Sequence, residues 1–290
     1  MTIRSLALAC VAGAVMTTGA FAQEVLAVHD EPGVVGLPEE ASFDILGVQL
    51  GMTPEEAEAA SGMRLRTVPG RTFLSDPETG GEFLHEYEAQ LESVARPLIG
   101  NERFTAGQDD LTVELGTDAV GGRVVSVRRF YSPPQNQPIG TEAVRQLLID
   151  KYGEPTGQNA RGTTMAWLYG PDGKVTSEFF SDEIDYRGLM DYVDAGAAID
   201  DDLEPLPCIL SFRTGVSDGL NPYEYQPERE LRDPDCVAGL LVKLSGSEQL
   251  RNMTLLMVDG RRRIQNAEGL DAAVEASLAS GAAPANAPRL

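Results

Sequence analysis

The 290-residue chain carries 45 acidic against 23 basic side chains, a net charge of −22, which argues against nucleic acid and anionic lipid surfaces as partners. Its hydrophobic content of 42% is enough for a real core, in one large domain or two small ones. Beyond the amino-terminal segment no window approaches the roughly 20 apolar residues of a transmembrane helix, so no integral membrane segment is expected in the mature chain.

The chain begins MTIRSLALACVAGAVMTTGAFAQE, with Arg4 as a basic start, an Ala/Leu/Val stretch, and Ala20-Phe21-Ala22 as a small-x-small cleavage site. Residues 1–22 therefore read as a signal peptide cleaved between Ala22 and Gln23, and the mature protein is expected in the periplasm or secreted. A lipoprotein reading, the lesser alternative, would use Cys10, which sits unusually early and has Ala7, not leucine, three residues before it. Residues 23–42 are punctuated by Glu, Pro and Gly without a period, which predicts a flexible lead-in.

An α+β domain is expected over 43–280, with related halves at 43–135 and 136–280 left open. The stretch FDILGVQLGMTPEEAEAASG, Phe43 to Gly62, opens it. Thr53 is placed to cap a helix by accepting from the N–H of Glu56, Pro54 suits the first helical position, and Gly62 closes the run. Phe83, Tyr87, Leu91, Val94 and Leu98 recur at helical spacing and predict a helix from Glu82, ended by Pro97, with His85 an ordinary residue within it. Leu111–Leu115 and Arg123–Tyr131 alternate around the turn residues Gly116–Gly122, a hairpin pattern.

IGTEAVRQLLIDKYGEP, Ile139 to Pro155, predicts a second helix with Thr141 as its cap, Val144, Leu147, Leu148 and Tyr152 on one face, and Gly153 as its stop. Further strands are expected at Thr163–Tyr169, Val175–Phe180, Ile209–Thr214, Gly239–Leu244 and Met253–Val258. Leu270, Val274 and Leu278 suggest a final helix before a disordered tail, 281–290. Strands following one another with few helices between them give a mostly antiparallel sheet, with short helices packed on one face.

Asp182–Pro207 reads as an acidic insertion and Gly215–Asp235 as a long loop, the two places where function would be sought. Export removes Cys10 and leaves Cys208 and Cys236 as an even pair in an oxidising compartment, so a disulfide is expected. In the chain-entropy model such a loop closure contributes roughly 3 to 4 kcal/mol; two free thiols are the alternative. Two cysteines supply only half of a tetrahedral metal set, and neither His29 nor His85 lies near them in sequence.

Gly215-Val216-Ser217-Asp218-Gly219 matches the GxSxG pattern of a hydrolase, but Asn221-Pro222 breaks the helix that should follow and no histidine lies downstream. The acidic run from Asp182 to Glu204 lacks the Asp/Asn ladder, central glycine and terminal glutamate of a calcium-binding EF-hand. Gly116–Gly122 lacks the lysine and hydroxyl of a phosphate-binding loop. No catalytic, cofactor-binding or metal-binding set is therefore expected.

Gly51-Met52-Thr53 with Glu55-Glu56, together with Lys151-Tyr152-Gly153-Glu154-Pro155, resembles small exported α+β modules of the β-lactamase-inhibitor-protein-like and SmpA/BamE-like kind. The resemblance implies a helix pair against an antiparallel sheet, and protein binding rather than catalysis. The expectation is a non-catalytic module of the cell envelope whose partner is a protein or another envelope component. An exported hydrolase with a site assembled from scattered residues is the alternative, and a calcium-dependent module a third reading.

Overall fold

The computed structural model describes residues 43–75, 82–94, 106–170, 172–174 and 237–279. The expected α+β class with a mostly antiparallel sheet is what the structure shows. A two-stranded hairpin, β1 (Asp44–Ile45) and β2 (Val48–Gln49), leads into helix α1 (Pro54–Ser61). The main sheet begins with β3 (Leu65–Ser75), β4 (Glu82–Ser93), β5 (Gln108–Leu115) and β6 (Val124–Ser132). Helix α2 (Thr141–Tyr152) follows, then β7 (Gly157–Gln158), β8 (Thr164–Gly170) and β9 (Gly173–Lys174). Strands β10 (Ala238–Ser245) and β11 (Asn252–Asp259) run directly into helix α3 (Gly260–Ala279).

The nine strands lie in the order β3-β4-β5-β6-β11-β10-β8-β7, with β9 also on β8. Each of these pairs is antiparallel. The register places Leu91, Val113, Val127, Met257, Leu240 and Trp167 in one row across six strands, all on one face. That face forms the main core with Ile45 and Val48 of the hairpin, Ala57 of α1, and Val144 and Leu148 of α2. The alternate row, Glu114, Ser126, Val258, Gly239 and Leu168, lies on the opposite face. Arg263 of α3 reaches Glu114 on that face, so the helices divide between the two faces rather than gathering on one.

The Thr53 cap stands as expected. Its Oγ1 accepts from the Glu56 N–H at 3.3 Å while a Glu56 carboxylate oxygen accepts from the Thr53 N–H at 2.9 Å, and Gly62 closes α1 with a φ of 61°. Thr53→Ala should cost about 1 kcal/mol, read as a lower denaturation midpoint at an unchanged slope.

The α2 expectation needs two corrections. Gly140, not Thr141, occupies the cap position, without a side-chain hydrogen bond there. Thr141 instead donates its hydroxyl to the Gly246 carbonyl at 3.2 Å and its N–H to the Glu248 carbonyl, which ties the helix start to the β10–β11 turn. Leu147 is 65% exposed, because it lies about 100° round the helix from the centre of the stripe made by Thr141, Val144 and Leu148. Gly153 ends the helix, as its position predicts.

The helix expected from Glu82 is strand β4. A spacing of four, as in Phe83, Tyr87 and Leu91, is also a multiple of two, and Phe83, Tyr87, Ala89 and Leu91 alternate with Glu82, Glu86, Glu88 and Glu92 as in a strand, interrupted at Leu84. Its partner β3 carries Pro69 at a register shift and lies at the edge of the sheet, the setting in which a strand tolerates proline. The expected strands Val175–Phe180 and Ile209–Thr214 lie outside the described residues, as do the signal peptide, lead-in, acidic insertion, loop 215–235 and tail.

Candidate functional site

Buried charge collects where β11 turns into α3. Asp259, the last residue of β11, is 2% exposed, and Arg262 one turn later is 7% exposed. One Asp259 carboxylate oxygen accepts from the Arg262 backbone N–H at 2.8 Å, the cap of a helix start, and the other accepts from Arg262 Nε at 3.2 Å. Burial raises the Asp259 pKa above the usual carboxylate value, a shift that the hydrogen bonds and charge of Arg262 partly oppose. Both oxygens are engaged by Arg262, so the carboxylate organises the helix start.

The arginine packs against the Gly51-Met52-Thr53 turn. At Gly51, where φ is +83°, an added Cβ would lie 2.9 Å from Arg262 Nη2, so glycine is what lets the turn approach. The Gly51 N–H donates to the Val124 carbonyl and the Val124 N–H to the Met52 carbonyl, while Arg123 Nη1 donates to the Gly51 carbonyl at 3.2 Å. The turn is thereby zipped to the start of β6.

Two more polar pairs fix the first turns of α3. Arg263 Nη2 lies 2.5 Å from Glu114 Oε2, and Asn266 Oδ1 accepts from both the N–H and the hydroxyl of Thr117, at 2.8 and 2.6 Å. Thr117 opens a short 3₁₀ turn, Asp118–Val120, between β5 and β6, with Gly121 and Gly122 at positive φ. This is the hairpin-turn role expected of Gly116–Gly122.

A second cluster pins the start of the domain to the end of α2. Lys151 Nζ donates to Asp44 Oδ1 at 2.8 Å, the Tyr152 hydroxyl donates to the Asp44 carbonyl at 2.7 Å, and Trp167 Nε1 donates to the Gly153 carbonyl at 2.9 Å. Phe43 packs edge-on against Tyr152 and Tyr169, and Tyr152 against Trp167. Burial works against the Lys151 charge, but the hydrogen bond to Asp44 and the neighbouring fields of Tyr152 and Asp44 outweigh it and raise its pKa. Burial raises the Tyr152 pKa, with Lys151 pulling it back in part. A nucleophilic lysine or a tyrosine base is helped by the opposite shift, and the partner this pair engages is Asp44 of the fold itself.

The raised values give a signed expectation. Each group contributes stability that is complete below its unfolded pKa, near 10 for both, and lost as pH rises through the higher folded value. A Lys151→Met/Tyr152→Phe variant should therefore lose less stability between neutral and alkaline pH than the parent, checked by denaturation midpoints across that range.

The disulfide pair Cys208 and Cys236, the cleavage residues Ala22 and Gln23, Gly215–Gly219 and the acidic run lie outside the described residues. His85 falls in β4 rather than in a helix. Among the described residues no group of three or more His, Cys, Asp or Glu is placed to hold a metal ion, and no helix is long and apolar enough to cross a membrane. The network around Asp259 was missed from sequence, although an Asp at the end of a strand is a readable helix cap; the Gly260 and three arginines that follow it are unlike an ordinary first turn and mask the signal. A scan against protein-family models finds no match, and comparisons with curated proteins and with solved structures find none either.

Proposed function

We propose that the chain is an exported protein of the cell envelope, periplasmic or secreted, that binds a protein or another envelope component and performs no catalysis. The observation that carries this reading is the use to which the groups of shifted protonation are put among the described residues. Shifted protonation in a folded protein marks either catalysis or structural pairing. Here Asp259 caps α3 and pairs with Arg262, while Lys151 and Tyr152 hold Asp44. The residue pattern of 1–22 supports export, the pair Cys208 and Cys236 suits an oxidising compartment, and the resemblance carried by Gly51-Met52-Thr53 points to protein binding.

Two measurements test the reading. Intact-mass analysis of protein recovered from the envelope should give a chain that starts at Gln23, with Cys208 and Cys236 resistant to alkylation until reduced; a mass that retains the first 22 residues would overturn export. The purified chain should turn over no member of a panel of ester and amide substrates. Turnover that vanishes in Ser217→Ala would replace the binding reading with a hydrolase.

A further inference from the structure

Helix α3 docks through a seam that is polar where the helix begins and apolar further along. Among the described side chains, Arg262, Arg263 and Asn266 are buried in its first two turns, and Leu270, Ala273 and Val274 beyond them. Three buried polar atoms have no hydrogen-bond partner among the described residues: Arg262 Nη1, Gln265 Oε1 and Ser126 Oγ. Two of them belong to α3 itself. The third lies on the sheet face that α3 covers, since Ser126 pairs in register with Glu114 on one side and Val258 on the other, and Glu114 is the partner of Arg263.

A buried polar atom without a partner costs free energy that water would return, and a buried ion pair gives up hydration that its mutual attraction only partly offsets. Both costs are concentrated at this one seam. Lifting α3 rehydrates Asp259, Arg262, Arg263 and Glu114 and supplies water to the three unpartnered atoms. The opposing anchor, among the described side chains, is Leu270, Ala273 and Val274 together with the two hydrogen bonds from Thr117 to Asn266, and Gly269 sits so tightly on Ala119 that an added Cβ would lie 2.6 Å from the Ala119 Cβ. Strands β10 and β11, by contrast, pair along their whole length, and most of their side chains are buried.

We propose that α3 is a strap that lifts from the sheet as a unit while β10 and β11 stay paired. Its stability is set by the polar seam, separately from that of the sheet beneath it. Lifting it bares the sheet row around Ser126 together with the 3₁₀ turn at Ala119 and Val120.

Native-state hydrogen exchange on the intact purified chain tests this. Amides from Asn266 to Val274, away from the fraying end, should exchange together and about a hundredfold or more faster than those of β10 and β11. The double variant Asp259→Asn/Arg262→Met keeps an acceptor oxygen at the cap and removes both charges and the unpartnered Nη1, and should slow α3 exchange about tenfold. Ser126→Ala removes an unpartnered hydroxyl without breaking a contact, and should slow it by about threefold or more; this variant carries the test if the double variant does not fold. Exchange of α3 in a single step with β10 and β11 in the parent, or α3 exchange that Ser126→Ala leaves unchanged or speeds, overturns the proposal.

Discussion

Asp259→Ala is expected to lower the stability of the fold by about 3 to 5 kcal/mol, the cost of leaving a buried charge without its partner. The substitution removes the carboxylate that engages both the Arg262 backbone N–H and its Nε. Arg262 is 7% exposed and already has one nitrogen without a partner among the described residues, so it has little room to reach solvent without dragging the helix start with it. Part of the loss is the helix cap alone, worth about 1 kcal/mol. Chemical denaturation of parent and variant reads the total as a shift in midpoint. A variant within about 1 kcal/mol of the parent would mean that Arg262 relocates freely and that the pair organises nothing.

Trp167→Ala should cost a similar amount, about 3 to 5 kcal/mol, through cavity formation. Trp167 is fully buried in β8, opposite Leu240 of β10. Its ring packs edge-on against Tyr152 at 5.7 Å between centroids, and its Nε1 donates to the Gly153 carbonyl at 2.9 Å. Truncation would therefore open a void between sheet and helix and free the end of α2 to which Asp44 is pinned. Trp167→Phe keeps most of the volume and loses the hydrogen bond, and should fall between parent and alanine variant. A phenylalanine variant as unstable as the alanine one would place the cost in the hydrogen bond rather than in packing.

What could be read from the sequence was local. The Thr53 box, the Gly62 and Gly153 stops and the hairpin around Gly116–Gly122 each depend on residues a few positions apart, and each is in place. Strands β8, β10 and β11 announced themselves because their apolar, β-forming runs are short and bounded by turn residues. Strand β4 was misread where a spacing of four suits both periods, and β3 was hidden by Pro69 and Gly70 in its middle, tolerable only because the strand lies at the edge. Thr141 looks like a cap in sequence, yet its hydroxyl finds the Gly246 carbonyl across the fold.

The buried seam was beyond local reading for the same reason. Thr117 meets Asn266, and Glu114 meets Arg263, across 149 positions in the chain. Only the pairing of β6 with β11 brings the β5–β6 turn beneath α3. No spacing rule anticipates such a contact. The Asp259 cap was the exception, since its acceptor and donor are three residues apart.

The binding role is tested most directly by cross-linking in intact envelopes, with photoreactive groups placed at exposed positions such as Leu147 and Glu142, followed by mass spectrometry. The reading predicts at least one adduct of discrete mass whose yield saturates and falls when excess unlabelled purified protein is added. Labelling that rises without saturation and ignores the competitor at every position tried, alongside substrate turnover by the purified chain, would contradict it.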